Sequence, residues 1–275
     1  MLISVVVPTR DRPQQLARCL AALARQHTPG STRSELEIVV VDDGSGGVQA
    51  AGAKVVRAQG RGPAAARNLG ARAARGDVVC FTDDDCVPAP DWAQRLAAAC
   101  ANGGAAAGTT IADPAAGAAA GAAQLLTNTL MLSTRERGGG GATLRFAPTC
   151  NLACHAETLR ALPFDESFAL AAGEDRDWCA RLVAAGVALR HVPDAAVVHR
   201  PQLGLRALVR QQTRYGRGAV GFRDAGGTLA DADFYRRLAR ATIQAGPGTA
   251  ACVALAQAAV AAGALLAAAE QRLAR

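Results

Sequence analysis

The sequence contains few aromatic residues and almost no lysine. Phe, Trp and Tyr make up 4% of its 275 residues, so a folded core has to be built from Ala, Val and Leu. Lys54 is the only lysine, and every other Lys/Arg position is an arginine. Because arginine replaces lysine throughout and alanine is abundant everywhere, both biases are typical of a genomic composition and carry little functional information by themselves.

Several common site patterns are also missing. The eight cysteines form no CxxC pair, and no Cys/His grouping has the spacing of a zinc site. The first loop, residues 8–11, has neither GxGxxG nor GxxxxGK[ST], so the sequence supports neither a dinucleotide-binding site nor a P-loop. We expect no signal peptide, because Pro8 ends the first apolar segment too early. Cysteines in apolar segments are typical of reduced core residues, which favours a cytoplasmic location.

The first ninety residues alternate between two kinds of apolar pattern. Half of the chain is apolar and 19% is charged, a balance that excludes intrinsic disorder. Strands are predicted at 3–7, 37–41, 54–57 and 78–82, and helices at 13–25 and 63–75. This alternation predicts an α/β fold with a mostly parallel sheet that helices cover on both faces.

The middle of the chain has less regular patterns. Residues 105–123 are rich in Ala and Gly and are interpreted as surface segments, with a mobile loop around the glycines at 138–141. Residues 124–133 fit either a helix or a strand. The elements predicted after this region are helices at 151–162 and 173–185 and strands at 188–192 and 195–199, which flank a Pro193-Asp194 turn.

Two predicted strands end in carboxylates, Asp42-Asp43 and Asp83-Asp84-Asp85. Ligands bind at the carboxyl ends of parallel strands, and adjacent carboxylates repel unless a cation or hydrogen-bond donors compensate them. Asp83 and Asp85 can converge on one cation, because residues i and i+2 of an extended chain point the same way. An all-oxygen site favours Mg²⁺ or Mn²⁺ and phosphates. The alternative interpretation is helix capping and turn formation.

Two reaction classes place carboxylates at such strand ends. In a response-regulator receiver, an acidic pair, a phosphate-accepting aspartate and a lysine follow one another along the chain. The only lysine here, Lys54, lies between the two acidic clusters, which excludes a receiver. Nucleotide-sugar transfer is the class that remains.

Six motifs in order carry a resemblance to a known family. They are SVVVPTRDRP (4–13), VVVDDGS (39–45), ARNLG (66–70), GDVVCFTDDD (76–85), FDE (164–166) and GEDRDW (173–178). This set resembles the signature of family 2 glycosyltransferases with the GT-A fold, over residues 1–202. The resemblance implies an inverting, metal-dependent transfer of a sugar from a nucleoside-diphosphate sugar to a hydroxyl acceptor.

The resemblance also implies a donor site and a metal. The expected donor-binding residues are Pro8, Thr9, Arg10, Asp11, Asp42, Asp43, Arg67, Asp83 and Asp84. Carboxylates accept hydrogen bonds from base and ribose, and we prefer Asp43 for the base. Asp85 is the expected ligand of Mn²⁺ or Mg²⁺. His199 occupies the position of a histidine that completes the metal site in part of the family, and its alternative role is that of an ordinary core or surface residue.

On the acceptor side, the resemblance implies that Asp175 is the general base that takes the acceptor hydroxyl proton. Asn151, Glu174 and Trp178 are expected in the acceptor region. A carboxylate in the first turn of a helix also complements the helix dipole, which is the structural alternative for Asp175.

The residues after 202 differ in composition from those before them. Residues 201–240 contain eight arginines and three aspartates, so they carry +5 of the chain's net charge of +7. Residues 249–269 have no charge and are long enough to span a bilayer, although alanine contributes little to insertion. We expect a helical extension over 203–275 that docks on the domain or lies on a membrane surface, rather than one that spans it.

This charge distribution favours contact with the inner face of the cell membrane and a lipid-linked acceptor. Nucleic acid is not expected as a partner, because aromatic side chains that stack on bases are scarce. Two other functions stay open from the residues alone. A sugar-phosphate nucleotidylyltransferase should have a Gly-rich first loop with Arg or Lys, where this chain has Pro8-Thr9-Arg10-Asp11. A nucleotide-sugar-binding relative without turnover is the non-enzymatic alternative.

Overall fold

The computed structural model describes residues 1–26, 36–100, 103–138, 141–168, 173–224 and 230–273. The chain divides into two compact units. Unit 1 contains residues 1–111 and 135–199, and unit 2 contains residues 112–134 and 200–275. The sequence interpretation placed a boundary near 202, close to the last crossing between units at 199/200, and assigned 112–134 to the first domain.

The secondary structure of both units is as follows. The strands are β1 (Ile3–Thr9), β2 (Leu36–Asp42), β3 (Lys54–Arg57), β4 (Val78–Phe81), β5 (Cys86–Pro88), β6 (Ala105–Ala112), β7 (Glu136–Gly138), β8 (Gly141–Thr143), β9 (Leu152–His155) and β10 (Leu189–His199). The helices are α1 (Pro13–Leu23), α2 (Pro63–Ala73), α3 (Trp92–Cys100), α4 (Gly117–Ser133), α5 (Ala156–Ala161), α6 (Glu174–Ala184), α7 (Leu205–Asp224), α8 (Ala232–Gln244) and α9 (Pro247–Leu273).

One sheet forms the centre of unit 1. Within the described residues its strand order is β3-β2-β1-β4-β9-β6-β10-β8-β7, with β5 paired to β10. β1 pairs in parallel with β2 and β4, and β2 with β3, so the parallel part lies in the first ninety residues. Among the strands that follow, β9 is antiparallel to β4 and β6, and the pairs β10–β5, β10–β8 and β7–β8 are antiparallel as well. The predicted α/β class is confirmed, and the sheet is mixed.

Gly70 lets α2 lie directly on the parallel strands. A Cβ atom at this position would lie 2.3 Å from Val6 Cγ1 and 2.9 Å from Val41 Cγ2, inside van der Waals contact. Only a residue without a side chain fits there, since packed interiors have no room for an extra methyl group. The close approach holds Arg67 and Asn68, one turn earlier on α2, against the edge of the sheet.

Three sequence predictions for the middle of the chain are wrong. Residues 105–112 form the buried strand β6 rather than a surface segment, and residues 152–155 form β9 rather than the start of a helix. β10 is one continuous strand through the expected Pro193-Asp194 turn. Alanine favours helices, so strand pairing distant in sequence overrides local propensity here. Residues 139–140 of the expected glycine loop lie outside the described residues.

Unit 2 consists of helices. α4 resolves the ambiguity at 124–133 in favour of a helix. Its core contains Leu126, Leu208, Phe234, Leu238 and Val253, together with small residues of α4 and α9. α7 and α9 approach very closely, since a Cβ atom on Gly216 would lie 2.0 Å from a backbone oxygen of α9. α9 is long and apolar enough to cross a membrane, with a mean hydropathy of 2.0, and 28% of that window is buried.

A buried carboxylate joins β1, β2 and the segment after α2. Ser4 Oγ donates to Glu37 Oε2 over 2.6 Å, and Arg75 donates through its backbone N (2.8 Å) and Nε (2.9 Å). Burial opposes ionisation, but these donors outweigh it and lower the pKa of Glu37. The ionised carboxylate therefore stabilises this side of the sheet.

We expect Glu37→Gln to lower the free energy of unfolding at pH 7 by about 1–2 kcal/mol, the value of charge-assisted hydrogen bonds. The folded-state pKa is below the unfolded value of about 4.3, so this stabilisation is present above that pH and is lost as pH falls. Urea unfolding at pH 7 and pH 3 measures the difference, which should shrink in acid. Glu157→Gln, an exposed site, is the control, and a pH-independent difference would contradict the prediction.

Candidate active site

The carboxyl ends of β1 and β2 bring two loops together. Thr9 is the register partner of Asp42, and Asp43 N donates to Thr9 O over 2.9 Å. In the first loop, Asp11 has a left-handed backbone with φ 55° and donates its N–H to Ser45 Oγ over 2.8 Å. Residues 8–11 and 43–45 therefore form one rim at this edge of the sheet, as parallel pairing requires.

Asp42 and Asp43 have different environments. Asp42 Oδ1 accepts a hydrogen bond from Ser45 N at 2.8 Å, the pattern of a turn-forming aspartate. Asp43 is also buried, and its Oδ1 has no hydrogen-bond partner among the described residues. A buried carboxylate oxygen without a donor is costly, so Asp43 is the better candidate to accept a hydrogen bond from a ligand.

Asp84 is held by the first loop. Thr9 Oγ1 donates to Asp84 Oδ2 over 2.7 Å, and Arg12 Nη1 lies 3.2 Å from Asp84 Oδ1. Burial raises the pKa of Asp84 to about 6, although Thr9 and Arg12 act in the opposite direction. Both oxygens are thus occupied by protein donors, which gives Asp84 a positioning role.

Arg12 is a site residue that sequence reasoning missed. Its Nη1 also lies 3.3 Å from Asp85 Oδ2, so one guanidinium contacts two of the three adjacent aspartates. The available signal was the triple aspartate itself, which requires positive charge nearby, together with an arginine in the first motif.

Asp85 faces a histidine at the end of β10. His199 Nε2 lies 3.3 Å from Asp85 Oδ1, and both side chains are largely buried. Burial opposes protonation of His199, but the hydrogen bond to Asp85 and the negative charges around it raise its pKa to about 9. The same contact, together with Arg12, outweighs the effect of burial and lowers the pKa of Asp85. The pair is therefore a carboxylate and an imidazole that point at each other.

Arg67 joins the two acidic motifs. Its Nη2 lies 3.0 Å from Asp83 Oδ1 and its Nη1 lies 3.1 Å from Glu174 Oε1. The side chains of Arg67 and Glu174 are 6% and 7% exposed, so this part of the bridge is shielded from water. The bridge connects the end of β4 to the first turn of α6, residues that are about ninety positions apart in the chain.

The first turn of α6 carries the expected base. Asp175 Oδ1 accepts a hydrogen bond from Arg176 N at 2.8 Å. Burial raises the pKa of Asp175, against the pull of Arg176 and Arg67. Burial and the charge of Asp175 likewise raise the pKa of Glu174 to about 7. A carboxylate with a raised pKa at the N-terminus of a helix is suited to accepting a proton.

Two residues expected at the acceptor lie in the protein interior. Asn151 is fully buried, accepts from Trp92 Nε1 at 2.8 Å, and donates to Thr109 O and Ala195 O. Trp178 is also fully buried, stacks on Phe164, and donates to a backbone carbonyl. All their polar groups are used within the protein, so both brace the scaffold and neither is placed to contact an acceptor.

The loop after α5 is fixed by α2. Asn68 Nδ2 donates to Phe164 O over 2.8 Å, and Phe164 N donates to Asn68 Oδ1 over 2.9 Å. The side-chain amide of Asn68 therefore makes the same pair of hydrogen bonds with Phe164 that a peptide group of a neighbouring strand would make. Arg10, in contrast, is exposed and contacts only the neighbouring Asp11, at 4.0 Å, among the ion pairs of the described residues.

The predicted site residues thus converge in two groups. Thr9, Asp43, Arg67, Asp83, Asp84, Asp85, Glu174, Asp175 and His199 lie at one edge of the sheet or are linked to it through Arg67. Pro8, Arg10 and Asp11 form the rim, whereas Asp42, Asn151 and Trp178 have structural contacts. The linked arrangement offers hydrogen-bond acceptors, a carboxylate–imidazole pair and the half-buried carboxylate of Asp175.

The fold is similar to that of solved glycosyltransferases. A mannosyltransferase from Pyrobaculum calidifontis, in complex with GDP-Man and Mn²⁺, superimposes with a TM-score of 0.58 at 22% identity, over 99% of this chain and 80% of that one. S. aureus TarS 1–349 in complex with UDP-GlcNAc gives a TM-score of 0.55 at 18% identity, over 100% and 93% of the two chains. These likenesses confirm the GT-A fold.

Sequence comparison identifies the family. A pre-mycofactocin glycosyltransferase of Mycobacterium tuberculosis is 30% identical over 231 residues, 79% of this chain and 47% of that protein. A validoxylamine A glucosyltransferase of Streptomyces hygroscopicus is 36% identical over 112 residues, 36% of this chain and 25% of that protein. The chain spans about half the length of the first of these relatives. The model of the family "Glycosyl transferase family 2" matches residues 4–161, and the chain belongs to that family.

Proposed function

We propose that this chain transfers a sugar, with inversion, from a nucleoside-diphosphate sugar to a hydroxyl acceptor, and that Mn²⁺ or Mg²⁺ assists. The observation that carries the proposal is the Arg67 bridge. It holds Asp83, two residues before the candidate metal ligand Asp85, and Glu174, next to the candidate base Asp175, on one guanidinium. Donor activation and proton removal can then take place in one site, as a displacement at the anomeric carbon requires.

The donor is proposed to bind along the rim at β1 and β2. Asp43 Oδ1, which is buried, would accept a hydrogen bond from an N–H of the base. The solved mannosyltransferase and TarS 1–349, which carry GDP-Man and UDP-GlcNAc, support a nucleotide sugar as the donor. These two donors differ in base and in sugar, and a binding experiment with a panel of nucleotide sugars identifies the base and sugar that this chain prefers.

The residues present fit a divalent cation. Asp85 Oδ1 and His199 Nε2 are 3.3 Å apart, a separation that two ligands of one ion can have, and both groups are largely buried. An oxygen and a nitrogen ligand together suit Mn²⁺ better than Mg²⁺, which prefers oxygen. When bound, the cation would supply charge stabilisation for the departing diphosphate. Arg12 supplies part of the same positive charge from the protein.

Asp175 is proposed as the general base. Its carboxylate takes the proton of the acceptor hydroxyl while that oxygen forms a bond to the anomeric carbon. The bond from that carbon to the diphosphate oxygen breaks, and the nucleoside diphosphate leaves with the electron pair. Burial raises the pKa of Asp175, which makes its ionised form a stronger proton acceptor than an exposed aspartate.

Unit 2 is proposed to contact an anionic membrane surface, and the acceptor is proposed to be lipid-linked. One face of α9 is exposed and uncharged from Ala251 to Ala269; it consists of Ala251, Ala254, Leu255, Ala258, Ala261, Ala262, Leu265, Leu266 and Ala269. Unit 2 also contains eleven arginines and five acidic residues, a net +6 of the chain's +7. An apolar face beside excess positive charge is typical of helices that lie on anionic lipid.

Donor binding is the first test of this proposal. With Mn²⁺ present, calorimetry against UDP-, GDP- and dTDP-sugars should detect one preferred base. Asp43→Ala should weaken that donor about tenfold, because one charge-assisted hydrogen bond is lost. Asp194→Asn, an exposed aspartate in unit 1, is the matched control and should bind like wild type. If no nucleotide sugar binds with Mn²⁺ or Mg²⁺, the proposed activity is wrong.

Asp175→Asn tests the base. We expect slow hydrolysis of the preferred donor to fall by about 100-fold or more, while donor affinity stays within about twofold, since general-base catalysis is lost and the binding groups remain. Asp177→Asn, in the same helical turn and paired with Arg181, is the control and should keep its rate. Unchanged hydrolysis in the Asp175 variant would instead favour a binding protein without this base.

Vesicle flotation tests the membrane contact. The chain should float with vesicles that contain phosphatidylglycerol and stay at the bottom with phosphatidylcholine alone. Leu265→Glu, at the most exposed leucine of the α9 face (72%), should reduce recovery about tenfold, because a charge would enter the lipid interface. Ile111→Glu, 46% exposed, is the control. Equal recovery of all three proteins would contradict the contact.

A further inference from the structure

A cysteine thiol lies beside the proposed metal ligands. Cys86 begins β5, directly after the triple aspartate, and His199 ends β10. In the antiparallel pairing of these strands, Cys86 is the register partner of His199. Directly opposed residues of an antiparallel pair project to the same face with Cβ atoms about 5 Å apart. Backbone pairing therefore sets the thiol next to the imidazole.

The three potential ligand atoms converge. Cys86 Sγ, an Asp85 carboxylate oxygen and a His199 ring nitrogen all lie within 4.8 Å of one another. Ligand atoms of one tetrahedral ion are about 3.3–3.7 Å apart when metal–sulfur bonds are about 2.3 Å and metal–oxygen or metal–nitrogen bonds about 2.0–2.1 Å. The oxygen–nitrogen pair has this separation already, at 3.3 Å. A shift of about 1 Å by the thiol, within the range of a χ1 adjustment, would complete the triangle.

A buried cysteine is most often a small core residue, and most cysteines of this chain fit that description. Cys86 is different, because within the described residues its cluster is the only group of three Asp, Glu, His or Cys side chains whose ligand atoms converge in this way. The thiol is fully buried on a strand whose backbone is fixed by its neighbour, so it cannot turn away into solvent.

We propose that Cys86 is the third protein ligand of the metal, so that the site is an Asp85–Cys86–His199 site rather than one of oxygen and nitrogen only. The inference rests on the proposed metal dependence and extends it to the chemical class of the ion. A thiolate ligand favours borderline and soft ions, so Co²⁺ and Zn²⁺ should bind more tightly than Mn²⁺, and Mg²⁺ least. Binding of the ion would release the thiol proton, because the thiolate is the form that coordinates.

Co²⁺ is the probe that reports on the ligand directly. Titration of the full chain with Co²⁺ should produce a thiolate-to-cobalt charge-transfer band in the near ultraviolet. Cys86→Ser should lose the band and weaken Co²⁺ about tenfold or more, because one of three protein ligands is replaced by a poorer one. Cys154→Ser, a buried thiol on β9 away from the cluster, is the matched control and should leave band and affinity unchanged.

The outcomes separate this inference from the proposed function. A charge-transfer band that persists in Cys86→Ser would overturn the inference. So would a wild-type chain that binds Co²⁺ without the band, if Asp85→Asn abolishes that binding. In the second case the metal site itself would stand, without a cysteine ligand. Donor binding is measured independently by the nucleotide-sugar panel, which fails if the proposed activity is wrong. If Cys86→Ser does not fold, X-ray absorption of the cobalt-loaded wild type decides: a sulfur neighbour at about 2.3 Å is expected, and only oxygen and nitrogen neighbours would overturn the inference.

Discussion

The guanidinium of Arg67, shared between Asp83 and Glu174, is the interaction on which the site depends. It lies on α2, which packs directly on the strands because Gly70 has no side chain. If the cation were removed, carboxylates from two distant parts of the chain would lie close together without compensation, which costs several kcal/mol in buried pairs. One arginine thus fixes the distance between the end of β4 and the start of α6.

Charge compensation explains why so many acidic residues can share one edge of the sheet. Arg12 neutralises Asp84 and Asp85 from the first loop, Arg67 neutralises Asp83 and Glu174, and His199 lies 3.3 Å from Asp85. Asp42 is used in a turn. Asp43 Oδ1 is the buried carboxylate oxygen of this edge that lacks a donor within the described chain. Donors within the protein therefore hold most of these carboxylates in place, and Asp43 Oδ1 stays available to a ligand.

The sequence predicted the parts of this protein that depend on local pattern. Valine-rich strands, the helix with Glu174 and Asp175 in its first turn, and the acidic strand ends are all readable within a few residues. Strand β6 was missed because its residues 105–107 are alanines, which carry no strand signal, and because its neighbours in the sheet, β9 and β10, lie 45 or more positions later in the chain. Arg12 and Cys86 were missed for the same kind of reason. Their relevance depends on the residues that the fold places opposite them: Asp84 opposite Arg12, and His199 opposite Cys86.

The register of β5 and β10 has a consequence for how the protein acquires its structure. Cys86 and His199 are opposed only after residues 113 positions apart have paired, which is among the last contacts that a chain of growing length can form. A cation that binds both strands would hold this late pairing together and would stabilise the folded chain by RT ln(1 + [cation]/Kd). Asp85, Cys86 and His199 would then couple catalysis to folding, because a chain in which β5 and β10 have not paired would have no metal site.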